Sequence, residues 1–299
     1  MVRSLVFAMA VLCAAPLTAA AQPPRPPMTP EQQAAAAERR AAEMKAPRPI
    51  DALDSVWMEQ LTWMEVRDAI AAGKTTALIL TGGVESNGPH LATGKHNYVL
   101  QVVGESIART LGNALVAPIV TLEPGRPDAP QVAPGSVFLS RDTYKRVLTD
   151  MAMSLRGMGF TEVVLIGDSG GNQGPMKEVA AELTAAHAGG PARFHYIPEY
   201  YDYESVQRFI RAKGIQEGIE FGASYGTDGL HEELGIDAIM MVYDPETVRI
   251  EQRVKANRAT INGVSLLPVE KTVALGKEIV ELRANNTVAA IRKALAAPR

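Results

Sequence analysis

The chain is nearly without cysteine, with one, Cys13, in 299 residues. That residue lies in the apolar run "LVFAMAVLCAAPLTA", which follows Arg3 and ends at Ala19–Ala21 before Gln22. A charged start, an apolar stretch too short to cross a bilayer and an A-x-A site read together as an export signal over residues 1–21. Leu12 precedes Cys13 where a lipoprotein signal wants a small residue, so no lipid anchor is expected. Cleavage would remove the sole thiol. The mature chain would then have no disulfide, no thiolate metal site and no cysteine nucleophile, which suits the periplasm or the exterior. Long hydrophobic runs are missing after the leader, so no transmembrane helix is expected in the mature form. Charge of one sign is missing too. A net charge of -3 gives no electrostatic footprint for nucleic acid.

What is present is apolar. At 46% hydrophobic residues the chain can bury one sizeable core, and neither an internal repeat nor a second domain is visible. Residues 22–50 form a Pro- and Ala-rich tether. Its "QPPRPP" should be extended, and Thr29-Pro30-Glu31 opens a peripheral helix with Thr as N-cap and Pro in the first turn. Over residues 51–299 short apolar runs alternate with amphipathic segments. "TTALILTGG", "NALVAPIV", "TEVVLIG", "ARFHYIPEYY" and "AIMMVYD" read as strands. "TWMEVRDAIAAG", "YVLQVVGESIARTLG", "SRDTYKRVLTDMAMSLRGMG", "GPMKEVAAELTAAHAG" and the tail from Glu270 read as helices. This alternation predicts an α/β fold, a three-layer α/β/α sandwich with a mostly parallel sheet.

The string "GDSGG", residues 167–171, matches the surroundings of the trypsin-like nucleophile, and "LTAAH" ending at His187 mimics those of its histidine. Order and setting exclude that chemistry. Here the histidine follows the serine, and the serine lies on a strand-to-helix turn of an α/β fold rather than in a double β-barrel. His187 reads as a helix-end residue. His195, inside a strand, reads as structural. The turn is nonetheless at the carboxyl end of a strand, where such folds bind ligands.

A second loop of that kind is "LTGGVESNGPHLATGKHNYVL", residues 80–100, in which Glu85, Asn87, His90 and His96 bunch at the end of a buried strand. Polar groups so placed are costly without partners, which makes the loop a candidate site. Glu85 could instead cap the following turn, His96 could cap the next helix, and Asp168 could accept the amides of Gly170 and Gly171.

At these residues the chain resembles the creatininase family of metal-dependent amidohydrolases. The family motif E-x-H-G-P-H-L-P-x-G-T-D runs in register with E-S-N-G-P-H-L-A-T-G-K-H from Glu85 to His96. "VLIGDSGGN" falls where the family has V-N-G-H-G-G-N, and "HEELGIDAIMMVYDPETVR" matches H-A-G-E-x-E-T-S-L-M-L-A-L-x-P-x-x-V-R without a gap. The resemblance implies hydrolysis of a small amide or cyclic amide; the alternatives are a metal-free scaffold that binds a small ligand without turnover, and metal-free hydrolysis by Ser169 with His231 or His96. It also implies a homo-oligomer, a divalent metal (zinc or manganese) and a small-molecule substrate. Carried over residue by residue, it keeps Glu85 as a metal ligand. Asn87 replaces a ligand histidine, His96 the aspartate that bridges two metals, and Ser169 another histidine. A single metal on Glu85, His96 and Asp168 is therefore expected in place of a pair. His231 corresponds to the family's proton-transferring histidine, with Glu233 beside it as a second catalytic group. Asn87, Ser169, Gly170 and Gly171 are expected to bind substrate. Tyr200, Tyr201 and Tyr203 read as packing and rim residues.

Overall fold

The structure is a computed structural model and describes residues 27–131, 133–218, 226 and 228–298. The expected export signal lies outside the described residues. Two compact units are separated between Pro47 and Arg48. In the first, α1 spans Pro30–Lys45. Thr29 and Gln32 form a reciprocal capping box at its start, as the Thr-Pro-Glu string predicts, and none of its residues is buried.

The second unit begins with α2 (Trp63–Ala71), again opened by a capping box, here Thr62 with Glu65. Then come β1 (Thr76–Thr81), α3 (Lys95–Leu111), β2 (Ala114–Val116), β3 (Glu123–Gly125) and β4 (Phe138–Ser140). The chain continues through α4 (Arg141–Met158), β5 (Glu162–Gly167), α5 (Gly170–Ala186), β6 (Arg193–Tyr196) and α6 (Tyr203–Ala212). It ends with α7 (Leu234–Tyr243), α8 (Ile250–Lys255), β7 (Thr260–Ile261), β8 (Val264–Ser265) and α9 (Val269–Ala296).

The main sheet runs β2-β1-β5-β6, and each neighbouring pair is parallel. Every residue of β1 and β5 is buried, which is why both strands carry an unbroken apolar run, Ala77–Leu80 and Val163–Ile166, instead of alternating. Their side chains still alternate between two cores. Leu78, Leu80, Val164 and Ile166 join the core built with α3, α7 and α9. Ala77, Ile79, Val163 and Leu165 join the core built with α4 and α5. Helices on both faces make three layers, the expected α/β/α sandwich, with each such buried aliphatic side chain contributing roughly 1.5–3 kcal/mol.

One expected strand is a helix. "AIMMVYD" lies in α7, whose residues Leu234–Met241 are all buried. A run that is apolar on every side suits a helix enclosed by its neighbours as well as a strand, and here α7 is covered by α3 and α9. The close approach to α9 is made at Gly276, where a methyl group would meet the Ala238 carbonyl oxygen at 2.1 Å.

His187 caps the C-terminal end of α5. His195 Nε2 lies 2.7 Å from Glu162 Oε2 across β5 and β6, a structural pairing.

Candidate functional site

At the carboxyl ends of β1 and β5 the chain leaves the sheet through two glycine-bearing loops. Asn172, in the first turn of α5, ties them together. Its Nδ2 donates to the Thr81 and Gly82 carbonyls at 2.9 and 2.8 Å. The loop after β1 brings Glu85 back against the start of α3, where Lys95 and His96 sit. The loop after β5 puts Asp168 below them and Ser169 at the N-cap of α5. A third segment closes the side. Its His231 adopts a left-handed backbone at φ 60°, fixed by paired amide bonds between Gly88 and Leu230. Such a conformation in a non-glycine residue is strained and is often found where a side chain is held for function.

These segments surround a cavity of about 500 Å³. Glu85, Lys95, His96, Asp168, Ser169, Gly170, His231 and Glu233 line it, and Tyr201, Asp202, Tyr203, Glu204 and Ile236 complete the wall. Of the residues expected from sequence, only Asn87 and Gly171 stand behind the wall. Asn87 Oδ1 lies 3.1 Å from His231 Nδ1, and the Gly171 amide donates to Ser169 Oγ at 3.3 Å.

The floor is a chain of ion pairs. His96 is almost fully buried between two carboxylates, with Nδ1 2.8 Å from Asp168 Oδ2 and Nε2 3.0 Å from Glu85 Oε1. Burial opposes a charge on the ring, but the hydrogen bonds to Asp168 and Glu85 outweigh it and raise its pKa. Glu85 Oε1 also receives Lys95 Nζ at 2.6 Å. Burial would raise the Glu85 pKa, but His96 and Lys95 together hold it well below the usual carboxylate range. Asp168 is 0% exposed. Its Oδ1 accepts from Tyr200 and Tyr203 hydroxyls at 2.8 and 2.9 Å and from Arg283 Nη2 at 2.8 Å. Against the cost of burial, Arg283 and His96 keep Asp168 ionised and its pKa lowered.

This geometry decides how the three expected metal donors stand. Glu85, His96 and Asp168 do meet, but each is bonded to the others or to a cation of the chain. Both imidazole nitrogens face carboxylate oxygens, so the ring offers no lone pair, and a metal ligand must be the deprotonated ring. Asp168 is occupied on both oxygens. Among the described residues no group of three or more His, Cys, Asp or Glu is arranged to hold a metal ion. As arranged here the donor set does not fit a cation, and Lys95 and Arg283 supply the site's positive charges.

The remaining expectations fare as follows. Asp168 does not cap the next turn; Ser169 Oγ takes that part. His90 serves the backbone, its amide donating to Glu232 Oε1 at 2.9 Å. His231 Nδ1 also faces the Ser86 carbonyl at 3.3 Å, so that nitrogen carries a hydrogen. Burial and then Lys95 lower its pKa. Glu233 opens α7, and burial and Glu217 raise its pKa. Tyr200 is more than packing, since its hydroxyl holds Asp168. Sequence reasoning passed over Lys95, Glu123 and Arg283. Lys95 stands beside His96 in the very motif that was singled out, and Glu123 ends an apolar segment as Glu85 does. Arg283 gave no signal, because it joins the site from the middle of α9.

A parallel-sheet sandwich with polar groups gathered at the strand ends is the frame of a small-molecule site. The family model described as creatininase, creatinine amidohydrolase, matches residues 59–291, and the chain belongs to that family. Solved structures agree on the fold. A manganese creatininase gives a TM-score of 0.59 at 18% identity, covering 82% of this chain and 100% of its own. A zinc–zinc form of a creatininase variant gives 0.55 at 19%, with 82% and 100% covered. A creatinine amidohydrolase gives 0.53 at 21%, with 81% and 97% covered. Comparison with curated proteins gives no match.

Proposed function

We propose that the protein, exported from the cytoplasm, hydrolyses a small amide or cyclic amide in this cavity without a resident metal. The observation that carries the reading is convergence. Three segments far apart in sequence, around Glu85 and Lys95, around Ser169 and around His231, line one cavity of about 500 Å³. That volume suits a small ligand. Lys95 and the first amides of α5 supply positive potential for a carbonyl oxygen, the part a Lewis acid plays in metalloamidases. His231, whose pKa burial and Lys95 lower, can relay a proton to the nitrogen that leaves. The acidic rim of Asp202, Glu204 and Glu233 favours a neutral or cationic substrate over an anionic one.

The test is hydrolysis of a panel of creatinine, other five- and six-membered cyclic amides and primary amides, followed by NMR in chelator-treated buffer. The expected result is turnover that falls about 100-fold or more in His231→Gln. A compound that raises the melting temperature yet is never consumed would overturn turnover in favour of binding alone.

A further inference from the structure

Ser169 and Glu123 form a pair that the ion-pair floor does not use. Ser169 Oγ donates a short hydrogen bond to Glu123 Oε2. Both side chains are buried, Glu123 to 5% exposure, and Ser169 opens on the cavity. The other carboxylate oxygen, Glu123 Oε1, is buried with no partner. A native fold rarely leaves such an atom unpaid unless the site has a use for it. The approach is made at Gly83, where a methyl group would lie 3.0 Å from the Glu123 carboxyl carbon. Burial raises the Glu123 pKa, which strengthens it as a proton acceptor once ionised. Ser169 is also the N-cap of α5, so an oxyanion formed beside it faces the helix's amide end, where the Gly170 amide lies.

We propose that Ser169 is the nucleophile of this cavity and Glu123 its general base, acting on amide carbonyls; this rests on the amide reading above. Oγ attacks the carbonyl carbon, and its proton passes to Glu123 as the Oγ–C bond forms. The C–N bond then breaks with its electron pair on nitrogen, which leaves with that proton, relayed along the cavity wall by His231. Water attacks the resulting ester carbon, the Oγ–C bond breaks, and water's proton returns to Oγ through Glu123. The sum is amide plus water giving acid plus amine.

A fluorophosphonate probe tests the pair without knowledge of the substrate, since serine displaces fluoride and retains the phosphonyl group. The expected result is one phosphonyl group per chain, located on Ser169 by peptide mass spectrometry. Ser169→Ala should take no label, and Glu123→Gln should label about 100-fold more slowly with an unchanged circular dichroism spectrum. No labelling, a label elsewhere, or wild-type labelling of Glu123→Gln overturns the proposal. Amide hydrolysis that survives Ser169→Ala overturns it and leaves the amidase reading standing. Labelling with no amide consumed overturns the amidase reading and leaves the nucleophile standing.

Discussion

Replacing Asp168 by Asn removes one charge from a place that has no water to compensate. The carboxylate is completely buried, and Arg283, which it pairs at 2.8 Å, is 3% exposed. The guanidinium also stacks on the rings of Tyr200 and Tyr203, 4.3 and 4.4 Å from their centroids, so it cannot leave without unpacking α9 from the site. Asn keeps the shape but turns an NH2 group toward partners that are themselves donors. Breaking one side of a buried pair costs about 3–5 kcal/mol, because the remaining charge stays desolvated. Against a total stability of about 5–15 kcal/mol this is a large share. Urea unfolding at pH 7, followed by circular dichroism, should show that loss. Asp168→Asn made in an Arg283→Met background should cost less, by about 1–3 kcal/mol, since the orphaned cation is gone. A loss below about 1 kcal/mol, or equal losses in both backgrounds, would refute the view that this pair holds the floor of the cavity.

Three further outcomes follow from the same geometry. Chelator dialysis should leave the melting temperature unchanged, and elemental analysis should find well under one zinc or manganese per chain. A specific metal at 100 times its Kd would add about 2.7 kcal/mol, or roughly 5–10 °C, so stoichiometric binding with such a shift contradicts the donor analysis. His96 has a raised folded pKa, so its contribution is complete below the ordinary value of 6.5 and disappears as pH rises through the folded value. Melting temperatures between pH 5 and 9 should therefore fall on the alkaline side in the wild type and less steeply in His96→Gln, and parallel curves would count against a charged ring. Gly276→Ala places a methyl group 2.1 Å from the Ala238 carbonyl oxygen and should cost about 1–3 kcal/mol in urea unfolding. Wild-type stability in that variant would mean that α7 and α9 are not locked at this crossing.

The sheet was readable because β1 and β5 each hold four consecutive apolar residues with glycine at or just after the strand end, a pattern that suits a doubly covered parallel strand. The length of α7 was not readable in the same way, since "AIMMVYD" carries no polar position to reveal a period. The site divides likewise. Glu85, Asp168 and Ser169 lie in loops whose polarity is out of keeping with the apolar strands before them, His96 opens the helix after the first of these loops, and all four reach the cavity with His231. Arg283 lies 115 residues from Asp168 in a helix with many charges, and nothing local separates a buried arginine from a solvated one. Lys95 is at the first position of α3, where an exposed lysine would be unremarkable, and only the fold turns it inward.

Taken singly, the departures from the family motif look like losses. In the register read from the sequence, the resemblance sets Asn87 and Ser169 at histidine positions and His96 at that of a bridging aspartate. Their charges make sense together. A site that gives up a bound cation must remove negative charge or supply positive charge, since carboxylates buried near one another cannot all stay ionised. An imidazole at His96 in place of a carboxylate would do both, since it lies between Asp168 and Glu85. Lys95 then reaches Glu85 at 2.6 Å and Arg283 reaches Asp168 at 2.8 Å, so each surviving carboxylate has a cation of the chain. The prediction is that restoring one ligand alone will not restore a metal. His96→Asp would bury a third carboxylate beside Lys95 and Arg283, and it should unfold at lower urea with no gain in zinc binding by calorimetry. Tight zinc binding by that single variant would show that the chain's own cations yield to a metal, and would return the site to metal chemistry.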